Sequence, residues 1–315
     1  MSRIQNILDK AEREGAALRT SSIGVSSAAG SLASAAPVTA TVPITIDIPT
    51  PMAPEPAVAR SIVPGAAPAS HAGHSLASMA AGAPTAGDGV QSYNVRLSPL
   101  LVAGLAPKSH AAEQYRQLRT RLAHAEGANN LRTVLVTSPQ KGEGKSVTSA
   151  NLALTMAQEL QRRVVIVEAD LRKPSMQQLF GLPAGPGLTD YLSGAAELKD
   201  VMRFLPDHNL TVIHAGSTAT NPAELLGSTS MRRLLDTLRT RFDRVILDTP
   251  PVLPLADVAV LAPLVDGALM VVRAGVTPKP AIENALRAFD SSRLLGIVLN
   301  DSGLEQDYRY EATKH

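Results

Sequence analysis

A chain of 315 residues with a formal net charge of +2 and 3% aromatic residues offers no basic, aromatic-interleaved surface, which argues against nucleic acid as a partner. It has no cysteine, which excludes disulfides and thiolate metal sites and fits a reducing compartment. No apolar run approaches the roughly 18 residues that cross a bilayer, and Asp9, Lys10, Glu12, Arg13 and Glu14 interrupt any signal-peptide core, so a cytoplasmic protein is expected that meets a membrane only through a partner.

Residues 1–19 read as a short amphipathic helix. Ser2 and Gln5 make a capping-box pattern, and Ile4, Ile7, Leu8, Ala11 and Leu18 fall on one face. This is either a frayed terminal helix or a docking helix for a partner. Residues 20–89 are rich in Ala, Pro, Ser, Thr and Gly and contain no Phe, Trp or Tyr. They cannot bury enough surface to offset their ordering entropy, so a long disordered linker is expected. The folded domain is expected over 90–303, opening where Tyr93, Val95 and Leu97 alternate like a strand, with a C-terminal tail over 304–315. From about residue 107 strand-like and helix-like segments alternate, the pattern of an α/β parallel sheet with helices on both faces. Strands are predicted at 133–137, 164–168, 210–214, 244–248, 268–272 and 295–299. Helices are predicted at 110–125, 145–160, 174–180, 187–193, 223–240, 256–262 and 279–288.

Three strand ends carry candidate chemistry. Val134, Leu135 and Val136 run into a loop holding Gly142, Gly144, Lys145 and Ser146, and a helix follows. That is the context of a phosphate-binding loop: glycines let successive N–H groups and the helix N-terminus wrap a polyphosphate. Lys145 would reach the β- and γ-phosphates, and the Ser146 hydroxyl would ligate Mg²⁺. The first position of the usual pattern is Pro139 rather than Gly or Ala. Arg163 to Arg172, RVVIVEADLR, delivers Glu168 and Asp170, expected on the same face, at a strand's carboxyl end. Such carboxylates hold metal, accept a proton or merely cap a turn. Phe242 to Pro251, FDRVILDTPP, delivers Asp248 in the manner of a metal-holding Walker B aspartate.

Two further features lie outside this site. Glu113, Arg116 and Arg119 recur every third residue and share an arc of about 120° of one helix face. They either pair within the helix or form a surface between subunits. Tyr308 and Tyr310, two of five tyrosines, sit in a polar tail with no core to fill. The tail is either simply solvated or offers phosphate acceptors.

Together these residues resemble the bacterial tyrosine kinases of capsule and exopolysaccharide biosynthesis, over roughly residues 107–312. The resemblance rests on the Glu113/Arg116/Arg119 helix, GEGKS (142–146), EADLR (168–172), GLTDYLSG (187–194), NPAELL (221–226), DTPP (248–251), GIVLND (296–301) and the tyrosine-bearing tail. The opening segment MSRIQNILDKAEREG is similar to that of stand-alone autokinases associated with exosortase-type polysaccharide loci. The resemblance implies a P-loop NTPase fold binding ATP and Mg²⁺ through Lys141, Gly142, Glu143, Gly144, Lys145, Ser146 and Val147. It implies that Ser146 and Asp248 hold the metal, that Asp170 supports it, and that position 168 stands nearest the attacking hydroxyl. It implies a ring of subunits contacting through Glu113, Arg116 and Arg119, with each copy phosphorylating Tyr308 and Tyr310 of a neighbour. Its expected partners are a separate membrane-bound chain-length determinant that activates it at the inner membrane, and a tyrosine phosphatase that resets it.

The chain departs from that family in two places. Glu168 stands where the family usually has Asp, and the tail has two tyrosines rather than a denser cluster. Two other readings follow: a partitioning-type P-loop ATPase, and an ATP-binding regulator of weak activity that assembles on its membrane partner. The first expects a signature lysine where this chain has Gln140, with Lys141 one place out of register.

Overall fold

The structure, a computed structural model, describes residues 44–47, 90–126, 131–253, 256–288 and 293–301. The expected N-terminal helix, most of the expected linker, and the tail with Tyr308 and Tyr310 lie outside these residues. In chain order come β1 (Ile44–Asp47), β2 (Gln91–Ser92), α1 (Val102–Leu105), α2 (His110–Glu126), β3 (Thr133–Thr137), α3 (Lys145–Ala157), β4 (Val164–Glu168) and α4 (Met176–Phe180). Helices α5 (Leu188–Leu192) and α6 (Leu198–Val201) lead to β5 (Arg203–Leu205) and β6 (Leu210–Ile213). Then follow α7 (Pro222–Leu226), α8 (Thr229–Arg241), β7 (Arg244–Asp248), α9 (Asp257–Leu261), β8 (Gly267–Arg273), α10 (Lys279–Ala288) and β9 (Leu294–Asn300).

The strands form one sheet in the order β1-β9-β8-β3-β7-β4-β6-β5-β2. From β9 to β6 every pairing is parallel. The strands β3, β7, β4 and β6 are buried on both faces, which is why they read as apolar runs. Val134, Val136, Ile166 and Ile246 face Tyr115, Leu118 and Leu152. The alternating residues Leu135, Val165, Val167 and Leu247 face Leu234, Leu238 and Ile282. The two helical layers are thereby assigned by the two-residue period of the strands.

The edges depart from the all-parallel expectation. β5 runs antiparallel to β6, and β1 runs antiparallel to β9 with Ile44 opposite Asn300. β1 falls inside the expected linker: Ile44, Thr45 and Ile46 are β-branched, and β9 offers an open edge to pair with. The strand expected through Tyr93, Val95 and Leu97 ends at Ser92. The Tyr93 N–H still donates to Phe204 (2.9 Å), but the Ser98 N–H turns to Leu179 (2.8 Å), so the chain leaves the sheet to pack on α4. The single helix expected over 223–240 is two, because Ser228 caps the second: its Oγ accepts the Met231 N–H at 3.2 Å.

Candidate functional site

The carboxyl ends of β3, β4 and β7 meet in the middle of the sheet, where Val136 and Glu168 both lie beside Asp248 in register. Backbone bonds then tie the three emerging loops together. The Ala169 N–H donates to the Asp248 carbonyl (2.7 Å), the Thr249 N–H to Val136 (3.1 Å) and the Val252 N–H to Ser138 (2.8 Å). The loop after β3 wraps back on itself through Gly142 (φ +82°) and Gly144 (φ +88°), a left-handed pair that side chains disfavour. Gly144 then starts α3, whose first residues Lys145 and Ser146 point the helix N-terminus into the loop. The expected strand, glycine loop and helix are all present.

The loop is held from outside by Thr277 and Asn300, to which sequence reasoning gave no role. Glu143, 4% exposed, accepts from the Gln140 N–H (3.1 Å) and from the Thr277 hydroxyl (2.6 Å). Its carbonyl accepts from Asn300 Nδ2 at 2.9 Å. A side chain at 144 would strike that amide, since a Cβ there lies 2.1 Å from Nδ2. Beyond Asn300, Asp301 pairs with Arg273 at 2.7 Å. The GIVLND segment ends in Asn300, but nothing in its local pattern says that it reaches a loop 157 positions away.

Lys145, Asp170 and Asp248 come together as expected. The Lys145 ammonium contacts Asp170 Oδ2 at 2.6 Å and Ser146 Oγ at 3.3 Å. Burial pulls its pKa down, yet the carboxylates of Asp248, Asp170 and Glu168 outweigh it and hold the ammonium above its ordinary range. Asp170 Oδ1 accepts the Lys173 N–H at 3.0 Å. Asp248 is wholly buried, and neither of its oxygens has a hydrogen-bond partner among the described residues, although the Ser146 and Ser149 hydroxyls lie near it. Burial pushes it up to about 6, against the pull of Lys145. A buried carboxylate with two idle oxygens beside a serine hydroxyl and a phosphate-type loop fits a divalent cation. Among the described residues no three His, Cys, Asp or Glu form a metal cage. Mg²⁺ held with nucleotide phosphates needs no such cage.

Glu168 is placed differently from the expectation. Its Oε1 accepts the N–H groups of Ser175 and Met176 (2.7 Å for the latter), and its Oε2 accepts the Ala215 N–H at 2.8 Å. The carboxylate therefore stitches β4 to the start of α4 and to the end of β6, with both oxygens taken. Asp170, not Glu168, points its carboxylate at Lys145. Burial raises Glu168 to about 7 while the three amides oppose the shift. Glu168→Asp withdraws the oxygens by one methylene, and buried amides left without acceptors cost about 1–3 kcal/mol each. The variant should melt several degrees lower in a thermal scan (about 2–4 °C per kcal/mol for a domain of this size). An unchanged melting temperature would show that the stitch contributes nothing.

The Glu113/Arg116/Arg119 helix has partners inside the chain. Arg116 pairs with Glu113 at 2.6 Å, the intrahelical alternative, and Arg119 pairs with Glu159 (3.1 Å) and the Thr155 carbonyl (2.9 Å) of α3. Glu113 and Arg116 remain half-exposed on the outer face of α2. One further ion pair, Arg172 with the buried Asp257, joins the loop after β4 to α9. Sequence reading quoted Arg172 in EADLR without a role and passed over Asp257.

No family model matches the chain. Curated proteins and solved structures do. It is 36% identical over 223 residues to the tyrosine-protein kinase YwqD of Bacillus subtilis, covering 70% of this chain and 94% of that protein. It is 31% identical over 216 residues to the putative tyrosine-protein kinase CapB of Staphylococcus aureus, again covering 94% of the relative and 68% of this chain. The kinase domain of the Escherichia coli tyrosine kinase ETK superposes with a TM-score of 0.60 at 31% identity, over 62% of this chain and 78% of that one. The chimerical protein CapA2B2 gives the same TM-score at 28% identity, over 66% of this chain and 91% of that one. Among the described residues no helix is long and apolar enough to cross a membrane. With nearly the whole of these relatives matched and a phosphate-type loop set between two strand-end aspartates, the chain belongs to the bacterial tyrosine kinases.

Proposed function

We propose that this enzyme transfers the γ-phosphoryl group of ATP to Tyr308 and Tyr310 of a second copy of itself. The observation that carries the reading is Asp248, buried with two idle oxygens beside the Lys145–Asp170 pair. Lys141 to Val147 wrap the phosphates with backbone N–H groups, and Lys145 leaves Asp170 for the β- and γ-phosphates. Ser146 and Asp248, with Asp170 beside them, would hold Mg²⁺, which supplies charge neutralisation on the phosphate oxygens. Asp170, released from Lys145, is the carboxylate free to receive the acceptor hydroxyl's proton, since the oxygens of Glu168 are taken by amides. Placement and charge carry most of phosphoryl transfer, so a rigidly tied set of three loops suits the task.

Assembly into a ring through the half-exposed Glu113 and Arg116 of α2 belongs to the same reading, and light scattering of the unphosphorylated protein tests it. So does activation by a membrane-bound chain-length determinant in capsule or exopolysaccharide export, with a phosphatase closing the cycle. Its support is the names of relatives, among them a putative tyrosine-protein kinase in the cps region of Klebsiella pneumoniae. The decisive experiment mixes two variants of the full chain with Mg-ATP and an activator fragment. One carries Lys145→Met and keeps its tyrosines; the other carries Tyr308→Phe and Tyr310→Phe and keeps its site. Anti-phosphotyrosine blotting and mass spectrometry should find label on the tail of the Lys145→Met copy alone. No label on that tail, from an otherwise active partner, would refute transfer between copies.

A further inference from the structure

The Arg172–Asp257 pair is built with more care than a surface ion pair. Arg172 donates through Nε to Asp257 Oδ2 (2.7 Å) and through Nη2 to Oδ1 (3.2 Å), a fork on both oxygens. Arg172 is 41% exposed, whereas the Asp257 side chain is fully buried. Burying a carboxylate costs several kcal/mol unless it is well paired. Asp257 is the first residue of α9, but its oxygens serve Arg172 and not the helix's own N–H groups, and Ala256 before it gives no side-chain cap. The helix start alone does not explain it.

Its position in the site does. Arg172 lies two residues after Asp170, on the short loop between β4 and α4. That loop is tied at its far end by the Ser175 and Met176 N–H groups on Glu168, and along its length by the Ala169 N–H on Asp248 O, Asp170 on the Lys173 N–H, Asp170 on Lys145, and Arg172 on Asp257. Once Lys145 turns to a phosphate, the Asp170–Lys145 tie is lost. What then still joins the middle of the loop, next to Asp170, to the segment following β7 is the Arg172 fork. We infer that Arg172 and Asp257 form a clasp that keeps Asp170 in place after Lys145 has left it. Both act as positioning residues, through Asp170. A lysine cannot reproduce the clasp, because a point charge on a flexible stem does not engage two oxygens in a fixed plane.

The inference rests on the role given above to Asp170. The test uses the full chain with Mg-ATP and compares Arg172→Lys, Asp257→Asn and Asp170→Asn with the parent. For the two clasp variants kcat should fall about tenfold or more, and the Mg²⁺ concentration giving half-maximal transfer should rise about tenfold, as for groups that orient a metal ligand; the Mg²⁺ midpoint for thermal stabilisation by ADP, read without turnover, should rise by the same factor. The KM for ATP should stay within about threefold, because the loop after β3 is untouched. Arg172→Lys keeps the charge at a half-exposed position, so it remains informative if Asp257→Asn does not fold. Wild-type kcat and Mg²⁺ midpoint in folded Arg172→Lys would overturn the clasp. So would a loss that disappears on cooling to where the variant is fully folded, since a mere staple behaves that way. An impaired Asp170→Asn beside a normal Arg172→Lys sinks only the clasp, whereas a normal Asp170→Asn sinks the assignment of Asp170 and the clasp with it.

Discussion

Lys145→Met is expected to lower tyrosine phosphorylation by at least about a hundredfold, the loss of roughly 3 kcal/mol of charge stabilisation in the transition state. The side chain is 12% exposed and sits among the carboxylates of Asp170, Asp248 and Glu168, whose charge it offsets. Methionine fills similar volume without charge, which separates the electrostatic effect from packing. A second consequence follows from the same geometry. With the ammonium gone, buried Asp248 loses the cation that pulled against its burial, so without nucleotide the variant should be less stable at pH 8 than at pH 5. Phosphotyrosine blotting and thermal melts at the two pH values check both parts. Residual transfer within tenfold of the parent would remove Lys145 from the phosphate site.

Asp248→Asn should separate stability from activity. In the metal-free protein the wild-type carboxylate is held up to about 6 against an ordinary 3.8. A raised folded value means that the native state holds the proton more tightly than the unfolded chain. The stability it contributes is complete below about pH 4 and is lost as the pH climbs through 6, because ionised Asp248 is buried without a partner. At pH 8 the amide removes a penalty on the order of 1–3 kcal/mol and should raise the melting temperature by several degrees. Below about pH 4 the advantage should vanish. The same substitution should reduce Mg²⁺-dependent transfer by at least about a hundredfold and remove the thermal stabilisation that Mg²⁺ with nucleotide gives the parent. A variant less stable than the parent at pH 8 would show that Asp248 is satisfied in solution in a way this geometry does not contain.

The sheet's centre could be read from the sequence because local pattern decides it. Val134 to Val136, Val164 to Val167 and Val245 to Leu247 are apolar on both faces, and each delivers a polar residue where the strand ends. The edges could not be read. Arg203 to Leu205 is three residues long and opens on a charge, and Ile44 to Asp47 stands in a stretch whose composition points to disorder. Within the site, Lys145, Asp170 and Asp248 were legible because each follows directly from strand-end spacing. The bond from Asn300 to Glu143, the Thr277 hydroxyl on Glu143 and the Arg172–Asp257 fork join segments far apart in the chain, and no local periodicity encodes them. Glu168 misled for a subtler reason. Alternation put it on the same face as Asp170, but three backbone amides from segments beyond its strand take its oxygens.

Asn300 grips the carbonyl of Glu143 while Asp301 pairs with Arg273, so the last described strand is welded to the wall of the phosphate loop before the tail begins. This sets a rule for splicing. A hybrid that borrows another kinase's tyrosine-bearing tail should be joined after Asp301, which keeps the Asn300–Glu143 and Asp301–Arg273 bonds. A junction placed upstream of β9 would replace Asn300 together with the tail and leave Gly144 facing an unfamiliar neighbour.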